Sequence, residues 1–347
     1  MTSEQIIALD AMGGDFGPDV IVPAAAESLK TIGKTKFLFF GDQAKVKKTL
    51  DHAPSLHKCS EIIHTDTVVS SDEKPSIALR TGRDSSMRKA IDSVKEGQAD
   101  CIVSAGNTGA LMAMSKMVLK CLPGISRPAI ASMFPTMRGR TVVLDLGANL
   151  SCDAEVLVQF SLLGAVYARV VEGIKNPTVG LLNVGTEDMK GHEEIRSAAS
   201  ILSEVRFPGE FHGFVEGDDL AIGTVDVVAT DGFTGNVALK TAEGVGKLTK
   251  EFLSDAFKSS PLAMLGYLLA SGAMKRMKKR VDPRYYNGGM FLGLNGVAVK
   301  SHGGSDIVGT INAIEVAAHL VQNDFNQKLA LEIEHLMAQE LYSSAEN

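Results

Sequence analysis

The segment CIVSAGNTGALM, residues 101–112, passes from an apolar run through a short turn into a helix-like stretch. Its first residues are apolar or small, which is typical of a strand buried on both faces. Two glycines then flank Asn107 and Thr108, and either of these residues can cap a helix. A strand followed at once by a capped helix is the βα unit of a parallel sheet. The segment therefore predicts an α/β fold with a polar turn at the carboxyl end of a strand.

Five other apolar runs stop in the same way, at short clusters of Gly, Asn, Asp, Ser or Thr. These clusters occupy residues 9–15, 144–149, 182–188, 229–236 and 300–306. The carboxyl ends of parallel strands share one edge of a sheet, and ligands of open α/β sheets bind along that edge. Glycine lets the backbone approach a ligand closely, and a helix N-terminus presents free N–H groups. We therefore expect the clusters to form one polar crevice that suits an anion.

Strand-like and helix-like patterns alternate along the whole chain. The strand patterns occupy residues 6–9, 37–40, 62–64, 101–104, 130–133, 142–145, 179–183, 211–215, 225–229 and 297–300. The helical patterns occupy residues 19–32, 76–96, 109–119, 154–172, 191–205, 235–257 and 306–338. Because this alternation produces βαβ units, we predict a doubly wound, mainly parallel sheet within a single large α/β domain, residues 1–347.

Composition and charge exclude several classes of protein. The 347 residues are 45% hydrophobic and 22% charged, which provides enough apolar material for a large core. The net charge of −6 and the absence of Trp argue against binding to nucleic acid. No apolar stretch reaches the ~18 residues of a membrane-spanning helix, and the first residues lack the pattern of a signal peptide. We therefore expect a cytoplasmic protein.

The sequence lacks the usual motifs for nucleotide and metal binding. No G-x-G-x-x-G follows the first strand, and Gly246-Lys247 is followed by Leu248 where a P-loop has Ser or Thr. The four cysteines include no C-x-x-C pair and no zinc spacing, so reduced thiols are the simplest interpretation. We therefore predict no metal and no cofactor.

Residues in the first two clusters are candidates for anion binding. The turn at residues 104–109 places Gly106, Asn107 and Thr108 at a helix start; the alternative is an ordinary capped helix. The turn after the first strand adds residues that can bind polar ligand groups or can serve only turn chemistry. They are Asp10, Gly13, Gly14 and Asp15.

The middle clusters supply candidate catalytic residues. Asn149 and Asn183 stand at or just beyond strand ends, where each can cap a helix or donate to a developing oxyanion. Lys190 follows Gly185 and Thr186 in a loop that becomes a helix, so it can bind phosphate. A solvated surface lysine is the ordinary alternative.

The last two clusters complete the predicted binding site. Asp231 and Asn236 flank a helix start that contains two glycines. His302 stands beside a glycine pair, with Ser305 close behind. His302 can act as a general acid or base near neutral pH, although a lone histidine is more often structural.

Residues 261–274 break the rhythm of the chain because they are almost all apolar. Leu262, Leu265 and Leu269 share one helical face. Basic residues follow at once: Lys275, Arg276, Lys278, Lys279 and Arg280. A helix on an anionic membrane surface and a helical arm in a dimer interface both explain the pattern, and the two can coexist. We expect such an arm at approximately residues 240–290.

Together, five motifs resemble the bacterial phosphate acyltransferase family (PlsX). They are ALDAMGGD at 8–15, SAGNTGALM at 104–112, RPAIA at 127–131, GLLNVG at 180–185 and TDGFTGNV at 230–237. Each motif alone is weak, but the resemblance runs in order from about residue 7 to about residue 318.

This resemblance implies a fold similar to isocitrate and isopropylmalate dehydrogenases and to phosphotransacetylases. It implies acyl transfer from acyl carrier protein to inorganic phosphate, giving acyl phosphate for phospholipid synthesis. It further implies a homodimer, peripheral attachment to the inner face of the cell membrane, and a membrane glycerol-3-phosphate acyltransferase as partner. Two alternatives stay open: a phosphotransacetylase-like enzyme that uses acyl-coenzyme A, and a membrane-associated scaffold of lipid enzymes without catalysis.

Overall fold

The computed structural model describes residues 4–286 and 288–345, without the side chains of residues 278–281, 283, 285 and 336–345. The strands are β1 (Gln5–Asp10), β2 (Thr35–Gly41), β3 (Ser60–His64), β4 (Cys101–Ser104), β5 (Ala129–Pro135), β6 (Arg140–Leu144), β7 (Thr178–Leu182), β8 (Glu210–Val215), β9 (Val227–Ala229), β10 (Gly289–Leu292) and β11 (Val297–Lys300). The helices are α1 (Pro18–Ser28), α2 (Gln43–Leu50), α3 (Pro75–Thr81), α4 (Ser86–Lys95), α5 (Thr108–Leu119), α6 (Ala154–Val170), α7 (Glu193–Glu204), α8 (Asp219–Ile222), α9 (Gly232–Lys258), α10 (Pro261–Val281), α11 (Ile307–Gln322) and α12 (Phe325–Ala345).

All the described strands join one 11-stranded sheet in the order β3-β2-β1-β4-β11-β10-β5-β6-β9-β7-β8. Strand pairing is parallel within each half of the sheet. It is antiparallel only at the three central pairs, β11–β10, β10–β5 and β5–β6. The antiparallel steps reverse the direction of the second half. Strands β6, β9, β7 and β8 therefore run opposite to β3, β2, β1, β4 and β11.

The expectation that all the polar clusters follow strands ending at one edge is therefore wrong. The turns after β1, β4 and β11 lie at one edge, and the turns after β6, β9 and β7 lie at the other. Strand direction is set by the short connection between β5 and β6, which forms an antiparallel pair instead of a crossover. The strand patterns alone carry no sign of this reversal.

Helices cover both faces of the sheet, as a doubly wound fold requires. The core on one face joins Ile21 of α1, Phe160 of α6 and Ile314 of α11 to the strands. The core on the other face is built around Ile91 of α4 and Leu111 of α5. Because both faces are buried, β4 is buried at every position, as its apolar sequence predicted.

Most element bounds shift by a few residues from the sequence prediction, helices α2 and α8 were not predicted, and three further differences have an identifiable cause. The helix predicted at residues 76–96 is two helices, α3 and α4, because the chain turns between Gly82 and Ser85. The helix predicted at residues 306–338 breaks at Asp324, whose φ of 51° is left-handed. Strand β10, with the sequence GMFL, was missed because it is short and lies among glycines.

Helices α9 and α10 form a long hairpin that stands out from the sheet. The rings of Phe257 and Tyr267 pack near its tip, with their centroids 5.1 Å apart. Only Gly232 and Gly235, at the base of α9, are buried among the residues of that helix. In the part of the chain that the structure describes, no helix is long and apolar enough to cross a membrane. The hairpin corresponds to the predicted arm at residues 240–290, and α9 begins before it.

Replacing Gly235 by alanine is expected to destabilise the fold by roughly 1–3 kcal/mol, the usual cost of overpacking. A Cβ atom there would overlap the carbonyl oxygen of Asp145 and meet the Thr230 side chain at 3.0 Å. The matched control is Gly246→Ala in the same helix, where nothing lies within 4 Å. That change should raise stability by about 0.5–1 kcal/mol through helix propensity. Urea denaturation of both variants checks the sign, and equal effects would contradict the close approach at Gly235.

Candidate active site

A buried carboxylate organises the turns after β1 and β4. Asp10 is 1% exposed and accepts hydrogen bonds from the hydroxyls of Ser86 and Ser104, both at 2.6 Å. The Ser104 hydroxyl in turn accepts a hydrogen bond from the Gly106 amide at 3.0 Å. Burial raises the pKa of Asp10, and the two serines oppose that rise. The sequence left two roles open for Asp10, binding of a polar ligand group and support of the turns. Because Asp10 is buried and hydrogen-bonded within the protein, the structure favours support of the turns.

Three turns meet above Asp10, and together they form the first cluster. A Cβ atom on Gly13 would lie 2.8 Å from the Gly106 amide nitrogen, so only glycine permits this approach. Gly14 has a φ of 80° and packs against the turn after β4. The amide of Asp15 donates to the carbonyl oxygen of Gly303 at 3.0 Å, which joins the turn after β11 to the other two.

The start of α5, at residues 107–109, belongs to the first cluster and presents free backbone amides. The Asn107 side chain caps the helix by accepting from the Ala110 amide at 3.0 Å. Its amide group donates to carbonyl oxygens of the loop at residues 70–73, so Asn107 is occupied within the protein. The amides of Thr108 and Gly109 have no partner among the described residues. These N–H groups, at the positive end of a helix, suit an anion.

Lys300 and His302 also belong to the first cluster, at the end of β11 and in the turn that follows it. Lys300 was not among the predicted site residues, although it ends β11 beside Ser104. Burial lowers the pKa of Lys300 to about 8, and the charges of Asp10 and Asp15 oppose that fall. The Nδ1 atom of His302 accepts from the Gly304 amide at 3.2 Å, which places the proton of the neutral ring on Nε2.

The pKa of His302 lies below its ordinary value, chiefly because of burial and then because of Lys240 and Lys300. His302 is therefore mostly neutral at pH 7, with an N–H group that can donate. Ser305 closes this turn through its amide, which donates to the His302 carbonyl oxygen at 3.0 Å.

A second buried carboxylate organises the opposite edge of the sheet. Asp145 follows β6 and is fully buried. It accepts from the amides of Ile130 at 2.9 Å and Asn149 at 2.6 Å, and also from those of Gly147 and Ala148. Burial raises the pKa of Asp145, while these donors lower it. Asp145 was missed by sequence reasoning, and it holds the turn that carries Asn149.

The start of α9 packs on this turn and completes the second cluster. The Asn149 amide group donates to Pro128 and to Asp145, which uses both of its hydrogens. Asp231 caps α9 by accepting from the Thr234 amide at 2.9 Å. The amide group of Asn236 donates to the Leu146 carbonyl oxygen at 3.1 Å and keeps its second hydrogen.

The loop after β7 borders the second cluster. The Asn183 side chain donates to the Lys190 carbonyl oxygen at 3.1 Å and accepts from the Val184 amide at 2.9 Å. Strand register places this loop next to β9 and therefore near Asp145. The Lys190 side chain lies over Gly185, exposed, and forms no ion pair among the described residues. Thr186 is also exposed.

The twist that is usual for a β-sheet reduces the angle between the opposed strand ends of the two halves. From β1 to β9 there are six strand-to-strand steps, so a twist of about 20–25° per step totals roughly 120–150°. Because the second half runs the opposite way, the carboxyl ends of β1 and β9 then point within roughly 30–60° of each other.

Helix α9 independently links the two clusters. Its first residue, Gly232, donates from its amide to the Asn149 carbonyl oxygen at 2.7 Å. Lys240 lies about 12 Å further along the helix axis, and its charge acts on His302. The start of α9 therefore packs on the second cluster, and Lys240 further along the helix is close enough to the first cluster for its charge to act on His302.

The predicted membrane-facing leucines are exposed on α10. Leu262 is 78% exposed, Leu265 52% and Leu269 81%. Lys275 and Arg276 are exposed on the same helix, whereas the side chains of Lys278 and Lys279 lie outside the described residues. Among the described residues, no group of three or more His, Cys, Asp or Glu side chains could hold a metal ion.

This sheet topology is an α/β fold of the kind found in phosphotransacetylases. The chain is similar to a phosphotransacetylase from Streptococcus pyogenes, with a TM-score of 0.63 at 18% identity, covering 92% of this chain and 94% of that one. It is also similar to EutD phosphotransacetylase from Staphylococcus aureus, with a TM-score of 0.61 at 15% identity and the same coverage. Likeness at such low identity shows the fold alone.

The family follows from the sequence as a whole. The model of a family described as fatty acid synthesis protein matches residues 6–328. A phosphate acyltransferase of Rhodospirillum centenum is 59% identical, covering 97% of this chain and 95% of the relative. A phosphate acyltransferase of Paramagnetospirillum magneticum is 51% identical, covering 99% and 98%. The chain belongs to the phosphate acyltransferase family and is an acyltransferase, which confirms the predicted resemblance and fold class.

Proposed function

We propose that this enzyme transfers the acyl group of acyl-[acyl carrier protein] to inorganic phosphate. A phosphate oxygen attacks the thioester carbonyl carbon and the C–S bond breaks. The products are acyl phosphate and the free phosphopantetheine thiol of acyl carrier protein. The proposal is supported by membership of the phosphate acyltransferase family together with two lysines beside the polar clusters, Lys300 at the first and Lys190 at the second.

Phosphate binding is the first requirement of this reaction. The free amides at the start of α5 and the exposed ammonium of Lys190 are both suited to a phosphate dianion. Gly185 lets the Lys190 side chain lie close to the backbone, because a Cβ atom there would be 3.1 Å from its Cγ. Holding phosphate beside the thioester removes much of the entropic cost of a two-substrate reaction.

The tetrahedral intermediate needs donors aimed at its oxyanion. Asn183 and Asn236 each give one amide hydrogen to a protein carbonyl and keep the other for a ligand. Both amide hydrogens of Asn149 are donated within the protein, so we assign Asn149 to support of the turn and not to the oxyanion. The leaving thiolate can take a proton from Nε2 of neutral His302. The thioester is already activated, so this chemistry uses no metal and no cofactor.

Exposed apolar side chains beside the second cluster support a fatty acyl donor. Leu150, Val184 and Phe233 are 73%, 78% and 63% exposed, and each stands next to a residue that shapes this cluster. They follow three neighbouring strands of the sheet, β6, β7 and β9. An acyl chain laid across them would be shielded from water, which stabilises binding by about 25 cal/mol for each Å² covered.

The helical hairpin supports the proposed partners. Its exposed apolar residues, including Leu248 and Phe252 of α9, would be buried in a homodimer. The leucines of α10 and the basic residues after them suit an anionic membrane, and the same basic residues suit acidic acyl carrier protein. We place the enzyme in the cytoplasm at the inner face of the cell membrane, beside a membrane acyltransferase that uses acyl phosphate for phospholipid synthesis.

Charge reversal on α10 separates these two partners. We expect the double change Lys275→Glu and Arg276→Glu to weaken binding to anionic liposomes, since each basic residue near a membrane contributes about 1 kcal/mol. Sedimentation with liposomes measures binding to the membrane. The Michaelis constant for acyl-[acyl carrier protein] measures recognition of acyl carrier protein. If both stay normal, the basic run is only a solvated surface.

The proposed reaction is tested by incubating the enzyme with palmitoyl-[acyl carrier protein] and titrating phosphate. We expect thiol release that depends on phosphate. Thiol release without phosphate would contradict the proposal, because it indicates hydrolysis. Equal kcat/KM with palmitoyl-coenzyme A would favour the phosphotransacetylase-like alternative, and no release with either donor would favour a scaffold.

A further inference from the structure

Lys300 joins two turns of the first cluster through its ammonium group. The group donates to the carbonyl oxygen of Ala105 at 3.3 Å and to the carbonyl oxygen of Ser301. Ala105 belongs to the turn that begins α5, and Ser301 belongs to the turn that carries His302. Together with the Ser301 amide, which donates to the Ser104 carbonyl oxygen at 2.9 Å, this side chain joins the start of α5 to the turn of His302.

The charge on Lys300 has no direct counter-ion among the described residues. None of the ion pairs found there includes Lys300, although Asp10 and Asp15 act on it from a greater distance. A mostly enclosed ammonium without a carboxylate in contact costs stability. Such a cost is typical of functional sites, where the charge serves a ligand.

Lys300 also acts on His302 through its charge. The groups that face His302 are Lys240 and Glu243 from α9, Lys300 from β11, and Asp15 from the turn after β1. The two lysines disfavour the protonated ring, and the two acids favour it. Loss of the Lys300 charge would therefore make His302 easier to protonate.

We propose that Lys300 is a positioning residue for the acyl transfer. It holds the turn at the start of α5 against the turn of His302, and its positive charge attracts phosphate to the first cluster. The inference rests on the proposed function for its substrate. Its effect on His302 is measurable without turnover, so the two can fail separately.

Steady-state kinetics of Lys300→Met, Lys300→Gln and Lys300→Arg test the proposal. We expect kcat/KM for phosphate to fall at least about tenfold in the Met and Gln variants, mainly through KM, with partial recovery in the Arg variant. In the wild type, kcat/KM for phosphate should fall as the pH rises through about 8, because Lys300 then loses its charge. This alkaline decline should be absent in Lys300→Met.

The matched control is Lys36→Met. Lys36 lies on β2, three strands away from β11, and pairs with the exposed Glu61 of β3. We expect normal kinetics and a normal pH profile for this variant. Thermal unfolding separates folding from function, since replacing an unpaired buried charge by Met should leave stability near that of the wild type. If Lys300→Met does not fold, Lys300→Gln and Lys300→Arg provide the same comparison.

Nuclear magnetic resonance gives a readout that a merely structural lysine would not move. The eight histidines can be titrated together, and His302→Gln identifies the signal of His302. We expect the pKa of His302 to rise in Lys300→Met and to stay low in Lys36→Met. An unchanged His302 titration together with an unchanged KM for phosphate would overturn the proposal. A shifted His302 titration in an enzyme that forms no acyl phosphate would overturn the proposed function instead.

Discussion

Lys190→Ala is expected to lower turnover at least about tenfold, which corresponds to about 1.4 kcal/mol of lost transition-state stabilisation. The Lys190 ammonium is exposed beside the second cluster and has no ion-pair partner among the described residues. The hydrogen bonds of Lys190 within the loop come from its backbone. Its amide donates to the Glu187 carbonyl oxygen at 2.9 Å, and its carbonyl oxygen accepts from the Asn183 side chain at 3.1 Å. Removing the side chain therefore removes charge and leaves the loop in place.

Kinetics over a range of phosphate concentrations decide the role of Lys190. The matched control is Lys175→Ala, an exposed lysine in the connection that precedes β7, at the other end of that strand. Its kcat should be unchanged. Circular dichroism should show both variants folded. Near-normal kcat together with a near-normal KM for phosphate in Lys190→Ala would remove Lys190 from the mechanism.

Asp145→Ala is expected to cost the fold about 4 kcal/mol or more. The carboxylate accepts four backbone amides and the Asn149 side chain, all at the buried end of β6. Each buried donor left without a partner costs about 1–3 kcal/mol. A typical domain has only about 5–15 kcal/mol of stability, so the loss should be visible as partial or complete unfolding.

Urea denaturation measures this loss. The comparison is Asp226→Ala, because the Asp226 carboxylate accepts only from the amide and hydroxyl of Thr178 and is only partly buried. That variant should lose less stability, about 1–2 kcal/mol. A loss below about 1 kcal/mol for Asp145→Ala would contradict the role given to this carboxylate.

Much of the fold was predictable because the strands are buried on both faces. β4 and β11 match their predicted bounds, since apolar residues followed by a polar turn leave little choice. The direction of the second half was not predictable in the same way. A strand pattern does not state its direction: the reversal comes from the antiparallel β5–β6 pair, and β5 is placed in the sheet by its pairing with β10, which is far away in the chain.

The positions of the candidate site residues were easier to predict than their roles. Polar turns after strands identified Asp10, Asn107 and Asn149 as special, but sequence does not show which hydrogen bonds are already used. Asp145 and Lys300 were missed, although each is a charged residue at the end of an apolar strand, in VVLD and VAVK. A charged residue at the end of an apolar strand is a useful sign of a functional or supporting role, because burying a charge is costly unless it is paired or hydrogen-bonded.

Labelled phosphate tests the proposed acyl transfer most directly. The enzyme is incubated with palmitoyl-[acyl carrier protein] and phosphate in which every oxygen is ¹⁸O, and the products are examined by mass spectrometry. Attack by phosphate predicts palmitoyl phosphate that keeps all the labelled oxygens, formed in equal amount with free acyl carrier protein. Unlabelled palmitate released together with unchanged phosphate would contradict phosphate as the acyl acceptor.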